Sequence, residues 1–162
     1  MNLSGRVKFL VEHLNLSPHP EGGFYKETYR SAGNTQTPSG DRSLLTSIFF
    51  LLTSENISRF HRIKSDELWY FHEGNSLTVH LLNEDGYSTL KLCNHIAGSD
   101  CLPFGLVKAN TIFGSTVDDP AGYCLVSCAV APGFDFKDFE LLSRDELILD
   151  YPDQSHIIKR LT

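Results

Sequence analysis

Residues 57–92 read ISRFHRIKSDELWYFHEGNSLTVHLLNEDGYSTLKL, and this stretch decides the fold. It holds four runs rich in β-branched and aromatic residues, 57–63, 67–72, 76–82 and 87–92. Gly, Asn and Asp signals such as Asn83-Glu84-Asp85-Gly86 separate them. Working outward, further strand-like runs occupy 43–52, 105–108, 111–117 and 122–130, and no helical period of useful length occurs between 31 and 138. Upstream, Ser4 can cap a helix over 4–14, in which Val7, Leu10, Val11 and Leu14 share one face. Gly22-Gly23 leads into an aromatic strand, Phe24 to Tyr29, and 31–41 reads as a polar loop. Downstream, Ser143 with Glu146 forms a capping box for a helix that ends before Pro152. The expectation is one all-β domain over 1–162, a β-sandwich or barrel with short helices at its N- and C-termini; closed as a jelly-roll β-barrel it would leave an interior cavity.

Composition narrows the function. With 41% hydrophobic residues in 162, the chain has enough apolar content for a core. Its net charge of −6 offers no counter-ion-releasing surface to a phosphate backbone, so nucleic acid is not expected as a partner. The longest apolar run, Leu44 to Leu52, is broken by Thr46 and Ser47 and is too short to span a membrane. The N-terminus lacks a signal-peptide layout, which points to the cytoplasm. Cys93, Cys101, Cys124 and Cys128 form no C-x-x-C pair and read as buried thiols.

Alternation places Arg59, His61 and Ile63 on one face of their strand, and Glu67, Trp69 and Phe71 on one face of the next. The opposite parity puts Phe60, Leu68 and Tyr70 inside and is nearly as apolar, so alternation leaves both open. His72 falls opposite Glu67 unless a bulge reverses it. His19, His80, His95 and His156 are isolated and read as surface or hydrogen-bonded histidines. Phe134, Phe136 and Phe139 read as core or dimer packing.

The segment His61-x-Ile63-x3-Glu67-x6-Gly74 resembles the first cupin motif, H-x-H-x3-E-x6-G, with Ile63 in place of the second histidine. The second motif, P-x-G-x2-H, has two candidate positions, one ending at Phe113 and one at Leu125; neither supplies the histidine. Pro18 to Ser31, the strand 43–52, Phe60 to Glu67 and Val130 to Glu140, in that order, resemble the uncharacterised "domain of unknown function" cupin family sometimes called cupin superfamily 5, over about residues 3 to 152. The resemblance implies a usually dimeric jelly roll and brings no established reaction. More distantly, Glu21 to Thr28 is similar to the D/E-R-G-x-F-x-E-S segment of dTDP-4-dehydrorhamnose 3,5-epimerases, with Gly22 in place of arginine. That likeness implies His61 as base and Glu27 as a nucleotide-side contact from an exchanged N-terminal strand.

The resulting expectation is a barrel binding a small polar molecule, sugar-like or nucleotide-sugar-like. It is either a metal-independent epimerase or isomerase or, alternatively, a non-catalytic binding module or a metal-dependent cupin enzyme. His61 and Glu67 are the expected catalytic pair, with Glu21, Tyr25, Glu27, Arg59, Trp69 and His72 around the ligand. No cofactor is expected, and no tightly bound metal either, because His61 and Glu67 are two ligands where a site needs three. A homodimer is expected through exchange of 19–30 across a mobile 31–41 loop. His61→Asn is expected to leave the melting temperature nearly unchanged.

Overall fold

The computed structural model describes residues 5–94 and 100–162. Thirteen strands and three α-helices are described. They run α1 (Gly5–His13), β1 (Ser17–Pro18), β2 (Phe24–Arg30), β3 (Asn34–Thr37), β4 (Gly40–Ser43), β5 (Thr46–Thr53), β6 (Ser58–Arg62), β7 (Asp66–Gly74) and β8 (Leu77–Asn83). After these come β9 (Gly86–Leu92), β10 (Phe104–Val107), β11 (Ile112–Val117), β12 (Tyr123–Ala131), β13 (Glu140–Leu141), α2 (Arg144–Asp150) and α3 (Ser155–Arg160).

Two antiparallel sheets face each other, one ordered β1-β2-β5-β12-β7-β10 and the other β13-β6-β11-β8-β9. This is the expected jelly roll, but the sheets stay separate rather than closing into a ring. Between them Phe50, Trp69, Val79, Phe113, Val126 and Val130 form the main core. The outer face of the larger sheet is covered by α1 and the chain after it, with Val7, Leu10 and Leu16 packed on Leu51 and Leu125. The outer face of the smaller sheet is covered by the C-terminal helices, with Leu147, Ile157, Ile158 and Leu161 on Phe60, Leu82 and Ile112. Strands covered on both faces lose their polar alternation, so β5 reads Ser47-Ile48-Phe49-Phe50-Leu51-Leu52 without a clean period.

Two expectations need correction, the loop over 31–41 and the four free thiols. Residues 31–41 are no mobile loop, because Asn34–Thr37 pairs with Gly40–Ser43 as a hairpin whose largely exposed faces left no apolar signal. Strand β2 lies on β5 of its own chain, Phe24 opposite Leu51 through Arg30 opposite Thr46. Helix α2 ends at Asp150, before Pro152 as expected, and a 3₁₀ turn then leads into a further helix, α3, which buries Ile157 and Ile158. Cys93 and Cys101 form a disulfide, while Cys124 and Cys128 are the buried thiols expected. The Ser143 cap and its reciprocal Glu146 bond are present as read. Among the described residues no helix is long and apolar enough to cross a membrane.

Candidate functional site

A cavity of about 330 Å³ opens between the sheets. Its apolar wall includes Phe50, Ile63, Trp69, Val130 and Phe139, and its polar groups are His19, Glu21, His61, Glu67 and Cys128. Tyr25, Glu27, Arg30, Thr46, Ser47 and Asp135 complete the lining.

Two local devices of the chain deliver these groups. The first is a β-bulge. β11 places Phe113 opposite His61 but Ser115 opposite Ser58, so three residues of β6 span two of β11. The extra residue turns Ser58 as well as His61 inward and takes Arg59 off that face. Gly114 stands opposite the bulge, where a Cβ would come within 2.7 Å of the Ser58 carbonyl oxygen. Arg59 therefore does not reach the cavity; its guanidinium donates to the Pro20 carbonyl at 2.6 Å, which corrects its expected role at the ligand. Phe60, on the other side of β6, is fully buried under the C-terminal helices, so both parities weighed from the sequence are apolar for different reasons.

The second device is the turn before β2. Gly22 and Gly23 have φ of +119° and +72°, a region costly for any side chain. A Cβ at position 22 would run into the carbonyl oxygen of Ile57. This close approach sets the Glu21 carbonyl to accept from the Arg59 amide at 2.9 Å and swings both His19 and Glu21 onto the cavity. It also explains why no arginine can stand at position 22. Gly22→Ala is expected to lower stability by at least about 1–3 kcal/mol, the cost of the strained conformation before the clash is added. Thermal denaturation checks it, and an unchanged melting temperature would mean the turn does not pack on Ile57.

The electrostatic centre is Glu21, buried at 6% exposure. Ser58 Oγ donates to its Oε1 at 2.8 Å, and His61 Nε2 lies 3.0 Å from its Oε2. His61 Nδ1 donates to the Arg59 carbonyl at 2.7 Å, so both ring nitrogens carry protons and face acceptors. Burial alone would push the imidazole down, but Glu21 outweighs it and holds His61 protonated above its usual range. Burial would likewise raise Glu21; His61, then His19 and Ser58, bring it below the usual carboxylate range instead. His19, 3.7 Å away through Nδ1, is the reverse case, since burial lowers it below its usual value. Its Nδ1 accepts the Glu21 amide N–H at 3.3 Å, so the neutral ring carries its proton on Nε2.

Glu67 sits on the larger sheet, 8% exposed. Burial and the Glu21 carboxylate push its carboxyl up to about 7, against the opposing effects of His61 and of the Cys128 thiol, which donates to it. Burial, together with Glu67, pushes Cys128 itself well above the ordinary thiol range.

The cavity thus gathers His61, Glu67, Glu21, Tyr25, Glu27 and Trp69 of the residues named from the sequence. It adds His19, Arg30, Cys128 and the Phe134–Phe136–Phe139 group, which is cavity wall as well as packing. His72 lies outside. A bulge does occur in β7, with Leu125 opposite Glu73 and Val126 opposite Phe71, but it leaves His72 on the outer face, 2.6 Å from Ser127 Oγ and edge-on to Phe49. His80 is hydrogen-bonded as expected, to Tyr87 and Thr116. His95 lies outside the described residues.

The resemblance to the first cupin motif raises the question of a metal, and these residues do not fit one. Neither His61 nitrogen has a free lone pair, Ile63 and Phe113 bring no donor, and the Phe113 ring packs 4.1 Å from that of His61. Among the described residues no group of three or more His, Cys, Asp or Glu is placed to hold a metal ion.

The Cupin superfamily (DUF985) family matches residues 8–142, taking in every polar group of the cavity. The chain belongs to that family. This DUF985 cupin is 40% identical to protein SO0799 from Shewanella oneidensis, whose crystal structure superposes with a TM-score of 0.88 over 99% of this chain and 98% of that one. It is 29% identical over 157 residues to the uncharacterized protein YML079W of Saccharomyces cerevisiae, covering 85% of this chain and 76% of the yeast protein. A mutant of Bacillus subtilis oxalate decarboxylase superposes with a TM-score of 0.58 at 14% identity, over 91% of the DUF985 cupin and 37% of the decarboxylase. At that identity the likeness is one of fold.

Proposed function

We propose that this DUF985 cupin takes a small, polar, sugar-like molecule into the cavity between its sheets and acts on it as a metal-independent acid–base enzyme of the epimerase or isomerase type. The observation that carries the reading is Glu67: a carboxyl near 7, in a largely apolar cavity, beside an imidazole–carboxylate pair. Catalytic acids and bases work best with a pKa close to the working pH, and titratable groups driven apart in one pocket mark an acid–base site.

The base role expected of His61 passes to Glu67, since both nitrogens of His61 are engaged. The ionised Glu67 takes the proton from a carbon next to a carbonyl, and the C–H electron pair moves into an enolate. The neutral His19 donates through Nε2 toward the carbonyl oxygen, and the Glu21–His61 pair fixes the surrounding field. Return of that proton from Glu67 to the neighbouring carbon, with the hydroxyl proton of that carbon passing to solvent as its carbonyl forms, gives an isomer. Delivery of a proton by water to the other face, with Glu67 releasing its proton to solvent, gives an epimer.

The test is solvent exchange. Sugars, their amino and acid counterparts and keto acids that raise the melting point are incubated with the protein in deuterium oxide and followed by NMR. Deuterium appears at the carbon next to the carbonyl with the wild type and with the outer-face variant His72→Ala. It falls by about a hundredfold or more with Glu67→Gln. Binding without exchange in the wild type would establish the second reading, a binding module, which the occupied nitrogens of His61 favour.

A further inference from the structure

The charges lining the cavity do not balance. Four carboxyl groups face it, Glu21, Glu27, Glu67 and Asp135, against two cations, His61 and Arg30. Each cation is already committed. His61 is paired with Glu21. Arg30 makes a two-pronged bond to Glu27 at 3.0 and 2.7 Å and uses its third nitrogen on Ser43 Oγ and the Phe134 carbonyl oxygen. Glu67 and Asp135 remain; among the described residues neither makes a direct ion pair with a lysine or arginine, and cations offset them only at longer range, His61 for Glu67 and Arg30 and Arg42 for Asp135. Asp135 instead caps the 3₁₀ turn Phe136–Asp138 by accepting the Lys137 amide. His19 is held neutral, so it adds no positive charge.

The surplus sits among aromatic walls, where a low dielectric strengthens every unpaired charge. The Trp69 indole N–H, on a side chain 1% exposed that lines the same cavity, has no hydrogen-bond partner. Tyr25, Phe50, Trp69 and Phe139 also offer ring faces, which attract cations and stack on sugar rings but repel anions.

We propose that the cavity interior admits a hydroxylated ligand that is uncharged or carries an amine, and rejects a carboxylate or phosphate group at the same depth. An ammonium group would find Glu67, which His61 offsets only through space, and hydroxyl groups would find the Glu67 carboxyl and the His19 Nε2–H. An anion would meet Glu67 and Asp135 with no free donor of positive charge. This selection rests on reading the cavity as the ligand site. It also separates the DUF985 cupin from sites built around a nucleotide diphosphate, for which an unpaired arginine or lysine is the ordinary solution.

Trp69 is the one tryptophan of the chain and reports on this space. Its fluorescence is quenched with acrylamide, caesium and iodide, which stand for a neutral, a cationic and an anionic group, each normalised to free N-acetyltryptophanamide. At pH 8, where the Glu67 carboxyl is ionised, acrylamide and caesium should reach the ring, with iodide about tenfold less effective than caesium. Glu67→Gln, checked for folding by its melting curve, should narrow that ratio severalfold while leaving acrylamide quenching unchanged. Iodide equal to caesium in the wild type overturns the charge selection and leaves the ligand-site reading standing. No quenching even by acrylamide means the floor is closed to small molecules and overturns both.

Discussion

His61→Asn lowers the stability of the protein at pH 6 by about 3–5 kcal/mol, roughly 6–20 °C in melting temperature. The sequence suggested the opposite, because asparagine keeps the size and a hydrogen-bonding group. What the sequence hides is Glu21. With His61 3% and Glu21 6% exposed and their charges 3.0 Å apart, removing the imidazolium leaves a buried carboxylate with Ser58 as its remaining side-chain donor. Breaking one partner out of a buried pair costs far more than the pair itself contributes. The pH dependence follows from the two shifts. His61 is raised, so its contribution is complete below 6.5 and disappears as the pH climbs through its folded value. Glu21 is lowered, so its contribution is complete above 4.5 and disappears as the pH drops through its folded value. The gap between wild type and variant is therefore widest between about pH 4.5 and 6.5. Denaturant titrations across that range measure it, and superimposable curves at pH 6 would show that the pair does not form.

Glu67→Gln acts in the other direction. A carboxyl raised from 4.5 to about 7 binds its proton more tightly in the folded state, so stability falls as the pH rises from 4.5 through 7. Glutamine keeps the shape and removes the titration. The variant should match the wild type at pH 4 and exceed it at pH 8 by about 3 kcal/mol, or roughly 6–12 °C. A wild type whose melting temperature is flat between those values would show that Glu67 is neither raised nor buried as described. Stability gained by disarming a polar group is the common signature of a group kept for function.

The fold was largely legible and the site only half so, for identifiable reasons. Turn signals such as Asn83-Glu84-Asp85-Gly86 and the Ser143–Glu146 cap are local chemistry, and local chemistry survives folding unchanged. Alternation failed at β6 because one bulge opposite Gly114 shifts the register, and nothing in Ser58-Arg59-Phe60 announces it. His19 went unrecognised since it lies in a Pro-Gly turn nearly forty residues before β6, and only the approach of Gly22 to Ile57 brings it to Glu21. The Cys93–Cys101 bond was missed because spacing without a fold cannot pair thiols. Helix α3 was missed because Ser155 to Arg160 is too short to display a period.

Strand β6 has no idle side. One face holds His61 over the cavity, and the other holds Phe60 under Ile157, Ile158 and Leu161, whose carbonyl accepts the Phe60 amide at 2.8 Å. Selection can therefore adjust the geometry around a ligand by exchanging methyl groups beneath the strand, at positions that no ligand ever meets. Lineages sharing every polar group of the cavity are free to drift apart in preference through this concealed layer, and a comparison restricted to cavity residues would record them as the same.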